Sequence, residues 1–429
     1  MRAILKPLTG VRVFQKNLLR CTTKTNSVLL RSFSTPSDNS NESNLFNPTP
    51  DHFALRNLMQ DFVKNEVEPQ ALEYNKKEKF NMDLFRKCGE LGLLGITVDE
   101  QYGGAGLDAT ASCIVHEELS MSDPAFCLSY LAHSILFTNN LYINGSSQQK
   151  FDYLPLACSG DLIGGIAMTE PEGGTDLANM HTVANKVSDG YILNGRKIFI
   201  TNAAVGPNKI GDAFLVYAKV NGKISLFLVD KSLPGFSLGQ VFHDKLGMRA
   251  SLTGELVLED VHVPIDHLVG EEGKATLCMM RNLEMERLTL AAMSVGIAHR
   301  CLDIMIQYSK EREAFGQPIN RFGQIQHMIA SSYSQYMAGK TYLYNTANNM
   351  NLYSGGHRTD TDGVKLYCGR MAKIIADNAI QVLGGYGYMG DQVVERLWRD
   401  SKLLEIGGGT NEAHEKNMTK DICKYPLLL

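Results

Sequence analysis

Two short segments of this chain carry residue types that do chemistry. Glu284-Met-Glu-Arg287 sets two carboxylates beside an obligate cation, and it opens an apolar helical stretch, Arg287–Ile306. A carboxylate there could act as a general base, or it could be a charge complementing the start of a helix. Glu284 and Glu286 are two apart and face different directions on a helix, so only one is expected to enter a site. The second segment, Met168-Thr-Glu-Pro-Glu-Gly-Gly-Thr-Asp176, offers backbone N–H groups, hydroxyls and two glycines that allow close approach. Such a loop could hydrogen-bond a heterocycle or a phosphate, or it could be a plain Pro/Gly turn.

Other patterns point away from chemistry. Gly385-Tyr-Gly-Tyr-Met-Gly390 matches G-x-G-x-x-G, but a dinucleotide fingerprint follows a strand and opens a helix. This one follows a helical stretch ending near Leu383, so it reads as a helix C-cap and loop. The nine cysteines (Cys21, Cys88, Cys113, Cys127, Cys158, Cys278, Cys301, Cys368 and Cys423) include no C-x-x-C pair. They read as buried reduced thiols rather than a disulfide frame or zinc site. The eleven histidines are equally scattered, without an H-x-x-x-H, and no metal site is expected.

The elements that must position these residues fall into three blocks: residues 45–160, 161–273 and 274–429. In the first, Leu55, Leu58, Met59, Phe62 and Val63 recur at helical spacing, and Cys113–Leu119 and Phe126–Leu141 continue in that style. Tyr102-Gly-Gly-Ala-Gly106 reads as a turn. The second block changes period. Tyr191–Ile200 is predicted as two strands about Asn194-Gly195, and Phe214–Lys219 with Lys223–Val229 as another hairpin about Asn221-Gly222. Glu255–Val263 alternates. These patterns predict an antiparallel β domain, a barrel or sandwich. In the third block Val364, Tyr367, Met371, Ile374, Ile375, Asn378 and Val382 mark one face of a long helix. Ile325, Ile329, Tyr336 and Leu343 mark another. Helix, then β, then helix, without βαβ alternation, argues for an α+β fold and against a doubly wound sheet.

The 429 residues allow about three domains. No run approaches the ~18 uninterrupted apolar residues of a membrane span, so none is expected. Residues 1–37 hold seven basic side chains and no acidic one, while the remainder has 35 basic against 46 acidic. That acidic body argues against nucleic acid as a partner. Residues 1–35 are basic, hydroxyl-rich and acid-free, the composition of a mitochondrial transit peptide, which implies a location in the mitochondrial matrix.

Read together, these segments resemble the acyl-CoA dehydrogenase family from about residue 45 to 422. The markers are Leu93-Leu-Gly-Ile-Thr-Val98 with Tyr102–Gly106, Met168–Asp176, Leu193-Asn-Gly-Arg-Lys-Ile-Phe-Ile-Thr201, Lys245-Leu-Gly-Met-Arg249, Arg312-Glu-Ala-Phe-Gly-Gln317, Gln381-Val-Leu-Gly-Gly-Tyr-Gly387 and Arg399-Asp-Ser-Lys402. The resemblance implies an N-terminal helical domain, a central antiparallel β domain and a C-terminal four-helix bundle. It further implies FAD as cofactor, an acyl-CoA substrate, a homotetramer, and electron-transfer flavoprotein as the electron acceptor.

Most members carry the catalytic glutamate in a Y-E-G-T segment near the C-terminus. Here that segment is Ile406-Gly-Gly-Gly-Thr-Asn411, with Gly407 and Gly408 in place of the tyrosine and glutamate. A smaller subgroup places the base at the position matched by Glu286. The glutamate missing at 408 and present at 286 support each other. Within that subgroup, Ser129-Tyr-Leu-Ala-His-Ser134 and Lys402-Leu-Leu-Glu-Ile-Gly407 resemble the members that oxidise isovaleryl-CoA, while Gly408-Gly-Thr-Asn-Glu412 also resembles long-chain members.

By the same resemblance, Ala167, Met168, Thr169, Gly174 and Thr175 would lie on one side of the flavin ring, and Phe199, Ile200 and Thr201 on the other. Arg312, Phe315 and Gln381, Val382, Leu383, Gly384 and Gly385 would reach FAD across a subunit interface. Thr410, Asn411 and Glu412 would lie near its pyrophosphate. Thr175, Glu284, Met285, Glu286, Arg287, Gly408 and Gly409 would meet the substrate. The chain departs from the family pattern at several points. Thr175 stands for serine, Gly323 for a flavin-binding glutamine, and His414-Glu-Lys416 for an arginine-bearing stretch. The hairpin at Val220-Asn-Gly222 is short, and residues are added around Ala204–Gly211. These departures leave room for a catalytically silent scaffold protein, which would hold no flavin. A peroxisomal oxidase is the third reading, opposed by the basic presequence and a terminus without S-K-L.

Overall fold

The computed structural model describes residues 43–424; the expected presequence, residues 1–35, and Cys21 lie outside the described residues. Helix α1 (Pro50–Phe62) begins where the Thr49 side chain accepts the His52 N–H, and it buries Leu55, Leu58, Met59 and Phe62. It continues through Val63–Val67 into α2 (Glu68–Lys77). The helices α3 (Met82–Glu90), α4 (Ala109–Ser122), α5 (Pro124–Leu131), α6 (Asn140–Asn144) and α7 (Ser147–Ser159) complete the first block. Between α3 and α4, Tyr102–Gly106 is a turn, as its glycines predict, with Gly103 at φ +87°.

The middle strands are β1 (Gly164–Ala167), β2 (Val183–Lys186), β3 (Gly190–Thr201), β4 (Ala204–Gly206), β5 (Lys209–Ile210), β6 (Ala213–Val220), β7 (Lys223–Asp230), β8 (Phe236–Val241), β9 (Thr253–Pro264) and β10 (Leu268–Val269). The main sheet runs β10-β7-β6-β2-β3-β9-β8, with β1 added beside β6. Most pairs are antiparallel, but β1 and β2 each run parallel to β6, which the hairpin signals did not predict. The sheet curls around a core of its own. Phe214, Val216, Ala218 and Val220 of β6 enter that core, while Leu215 and Tyr217 face the helices. Burial on both faces explains why β6 reads as a continuous apolar run.

The two Asn-Gly signals part company. Asn221 and Gly222, at φ +48° and +77°, close the two-residue turn between β6 and β7. Asn194-Gly195 does not turn at all: β3 is one strand, paired on both sides of Gly195 with β9, with a bulge between Leu193 and Gly195. A Cβ at Gly195 would lie 2.4 Å from Thr182 Oγ1, so the glycine serves a close approach within a bulge.

The third block holds α8 (Ala275–Glu311), a short hairpin β11 (Glu313–Ala314) and β12 (Gln317–Pro318), α9 (Gly323–Asn348), α10 (Arg358–Leu383), α11 (Val393–Ser401) and α12 (Asn411–Ile422). The first three helices pack together, with α11 and α12 against α10. Among the described residues, α8 alone could cross a membrane by length and hydropathy, but its apolar stretch is largely buried inside this fold. It also starts nine residues before Glu284, so the carboxylates sit within the helix and the helix-start reading fails. The helical stretch is extended because residues 275–283 contain no proline or glycine to stop it. On α10 the buried face is Val364, Cys368, Met371, Ala372, Ile375, Ala376, Ala379 and Val382. Tyr367 and Ile374, expected on that face, are exposed, because alanines and Cys368 make the close helix contacts instead.

Candidate active site

Glu286 projects from α8 into the protein, and its Oε2 has no hydrogen-bond partner among the described residues. Burial pushes its carboxyl up to about 7; Arg287 and Lys365 pull the other way. Glu284, two residues earlier, faces elsewhere: its Oε1 accepts the Gly356 N–H at 3.3 Å, ahead of α10. Met285 packs into the core between them, 1% exposed.

The glycine turn after α11 meets Glu286. Gly408 has φ +65° and Gly409 φ +101°. A Cβ at Gly408 would lie 2.3 Å from Leu290 Cδ1 and 3.5 Å from Glu286 Cδ. The residue pair linked in the sequence is therefore adjacent in space, and a side chain at 408 would occupy the ground beside the carboxylate. Thr410 caps α12, accepting the Ala413 N–H at 3.2 Å. Asn411 is buried with its Oδ1 unpartnered, and Glu412 is exposed.

The loop after β1 and the end of β3 also come together. Ile198 donates its N–H to the Thr169 carbonyl at 2.9 Å. Beneath the loop, the buried Lys197 ammonium donates to Glu170 at 2.7 Å and to the Met168 carbonyl at 3.2 Å. Glu170 also accepts the backbone N–H groups of His181 and Thr182. Glu170, Glu172 and His181 lie close enough to bracket an ion, but Glu170 is committed to Lys197. A register shift between Lys197 and Ile200 turns Phe199 outward, at φ +59° and 64% exposed, against Phe242. Gly174 and Thr175 are exposed on the loop and Thr201 is half-buried. Ala167 and Ile200 place their side chains in the sheet's own core, so only their backbones are available to a ligand.

A third group stands apart. Arg312, Val382, Leu383, Gly384 and Gly385 line a cavity of about 640 Å³ with Tyr308 and Met389; none of residues 167–201 or 284–287 lines it. Gly384 ends α10 at φ +59°, the expected C-cap. A Cβ at Gly384 or Gly385 would meet nothing within 4 Å. Gln381 and Phe315 are exposed nearby in sequence, Phe315 at φ +49° and 97% exposed. Gly323 likewise faces open space at the start of α9.

The described chain matches three family models in order: acyl-CoA dehydrogenase N-terminal domain at residues 49–161, middle domain at 165–261 and C-terminal domain at 276–423. The chain belongs to the acyl-CoA dehydrogenase family. It is 38% identical to a mitochondrial isovaleryl-CoA dehydrogenase of Oryza sativa subsp. japonica, over 89% of this chain and 92% of that one. It is also 38% identical to a mitochondrial 2-methylacyl-CoA dehydrogenase of Solanum tuberosum, over 85% of this chain and 88% of that one. The fold matches a Bacillus anthracis acyl-CoA dehydrogenase solved in complex with FAD, at TM-score 0.82 and 32% identity, over 88% of this chain and 67% of that one. This family member is an oxidoreductase acting on CH–CH groups of acyl-CoA thioesters.

Sequence reasoning missed the polar surroundings of the base. Asp362 and Lys365 of α10 and His414 of α12 are buried beside Glu286, Arg287 and the glycine turn. Two ionisable residues three apart in Asp362-Gly-Val-Lys365, on an otherwise apolar helix face, were the legible signal.

Proposed function

We propose that this enzyme removes hydrogen across the α and β carbons of a short branched-chain acyl-CoA, with isovaleryl-CoA giving 3-methylcrotonyl-CoA in leucine catabolism. The observation that carries this reading is the buried, unpartnered Glu286 against a glycine at 408. Glu286 takes the α proton. The base must be ionised to do so, and burial that brings its carboxyl near 7 makes it strong enough for a weak carbon acid at neutral pH. The Gly408 N–H is the donor for the thioester oxygen as enolate charge develops. Burial of Glu286 keeps water from the carbanion-like centre.

The residues fit FAD. An outward aromatic at Phe199, free hydroxyls and glycines at 169–175, the orphaned Asn411 oxygen and the glycine-floored cavity suit a planar heterocycle joined to a polar chain. Met168–Thr175 and Phe199–Thr201 would hold the ring system, and Thr410–Glu412 the pyrophosphate. Arg312, Phe315 and Gln381–Gly385 would hold the far end of FAD bound to a second copy. Bound FAD supplies the acceptor for the β hydrogen. The exposed Tyr386 and Met389 of that cavity, with the exposed Phe315 and Tyr388 close to its lining residues in sequence, support a homotetramer in which another subunit covers them. The acidic body and basic presequence support a matrix enzyme that hands electrons to electron-transfer flavoprotein.

The test uses the flavin-loaded enzyme without oxygen. Isovaleryl-CoA is expected to bleach the flavin faster than butyryl-, 2-methylbutyryl- or palmitoyl-CoA. Faster bleaching by 2-methylbutyryl-CoA would move the substrate to the 2-methylacyl class of the potato relative. Faster bleaching by palmitoyl-CoA would move it to the long-chain group. A folded protein that takes up no FAD would establish the scaffold reading.

A further inference from the structure

We propose that Lys365 is a positioning residue for this reaction: it holds the Gly408–Gly409 turn in place through the Gly409 carbonyl and keeps a cation beside Glu286. The inference rests on Glu286 being the base.

Lys365 is 1% exposed, in the middle of α10. A buried ammonium is costly unless a carboxylate meets it, yet the hydrogen bond it makes goes to a backbone carbonyl, Gly409 O, at 2.6 Å. The same carbonyl faces His414 Nε2 at 2.9 Å. A carbonyl only accepts, so Nε2 carries a proton. His414 Nδ1 faces Asp362 Oδ1 at 2.6 Å. Asp362 Oδ1 also meets Arg287 Nε at 3.1 Å, and Arg287 follows the base on α8. Two donors thus converge on one carbonyl of a turn whose glycines have no side chains to hold them. The tie runs from that turn through α12 and α10 to the helix that carries Glu286.

The charge of Lys365 does separate work. The groups acting on Glu286 are Arg287 of its own helix and Lys365 of α10, and Glu286 in turn acts on the buried Tyr217 phenol of β6. Lys365 is itself brought down to about 8 by burial, opposed by Glu286, Asp362 and Glu405 and reinforced by Arg287. His414 is faced by Asp362, Lys365 and Arg287. Without the Lys365 cation, the Glu286 proton is held more tightly.

The experiment compares the flavin-loaded wild type with Lys365→Met, Lys365→Gln and Lys365→Arg. The readouts are kcat and KM against pH and the Glu286 carboxyl stretch by difference infrared, with Glu286→Gln identifying the band. Both uncharged variants are expected to move the acid limb of kcat and the carboxyl titration up by about one unit, with about tenfold lower turnover well below the midpoint. Lys365→Arg is expected to restore the titration. His414→Phe, which keeps the cation and removes one donor to Gly409, is expected to lower kcat without moving the acid limb. An unmoved acid limb and carboxyl titration in whichever of Lys365→Met and Lys365→Gln folds would overturn the proposal. Turnover retained in Glu286→Gln would overturn the base assignment and the proposal with it.

Discussion

Two buried charge clusters in this molecule are built on opposite principles. In the first, Arg56 of α1 donates to Glu117 at 3.0 Å and Glu118 at 2.6 Å, both on α4, and to the Tyr344 hydroxyl. Lys340 meets the other Glu117 oxygen at 2.8 Å, and Tyr344 donates to Glu117 as well. Every charge faces an opposite one, and Glu117 is held well below the usual carboxylate range by Lys340 and Arg56 despite its burial. In the second, Glu286 has an unpartnered oxygen and is pushed up to about 7, while Lys365 is pushed down to about 8. The paired cluster pins helices together. The unpaired one keeps a carboxylate reactive at a cost in stability, as expected of a site that must exchange a proton.

The sharpest break in that comparison is the largest effect. Glu286→Gln should lower kcat by about 10²–10⁴-fold, with flavin still bound and the fold intact. Turnover within tenfold of wild type would show that the buried carboxylate is not the base. Glu117→Gln should do the reverse. It leaves Arg56 and Lys340 undercompensated in the interior and should cost about 3–5 kcal/mol in unfolding free energy, with kcat per folded enzyme little changed. The sign with pH is fixed by the lowered carboxyl. Glu117 stabilises the fold above its ordinary value of 4.5, and that contribution fades as pH falls towards the folded-state value. Denaturation melts between pH 7 and 3 would check it; a Glu117→Gln protein as stable as wild type at pH 7 would make the cluster energetically idle.

A smaller effect probes the geometry between the two glutamate positions. Gly408→Ala forces a left-handed conformation on a Cβ and drives it 2.3 Å from Leu290 Cδ1. Strain of about 1–3 kcal/mol follows, so kcat should fall by about tenfold or more, and Leu290→Ala should restore part of it. If Gly408→Ala had wild-type kcat, the turn would not be constrained by Glu286 and Leu290.

How much of this was legible beforehand differs by region. The helix–β–helix order and the Asn221-Gly222 hairpin follow from local spacing, because a turn's φ preferences are local. Asn194-Gly195 has the same letters and forms a bulge, because what decides it is β9 running past both flanks and Thr182 crowding Gly195. The Glu286–Gly408 pairing was inferred from family resemblance; the contact joins residues 122 apart and no periodicity encodes it. Lys365 is legible in the sequence only as an ionisable residue three from Asp362 on an apolar helix face; its partner, the Gly409 carbonyl, arrives from the turn after α11, and no spacing encodes that contact.

The smallest effect separates the clusters by stability alone. Glu286 has a folded-state value of about 7 against an ordinary 4.5, so the folded protein holds this proton more tightly than the unfolded chain. A raised carboxyl leaves the fold unburdened below pH 4.5. The cost then grows as pH rises towards 7 and stays constant above it. Removing the charge should therefore stabilise the protein only where the charge exists. Glu286→Gln should melt about 2–4 °C above wild type at pH 8 and level with it at pH 4, in the same samples that have lost turnover. Equal melting temperatures at both pH values would mean that Glu286 carries no uncompensated charge, and that the two clusters are alike after all.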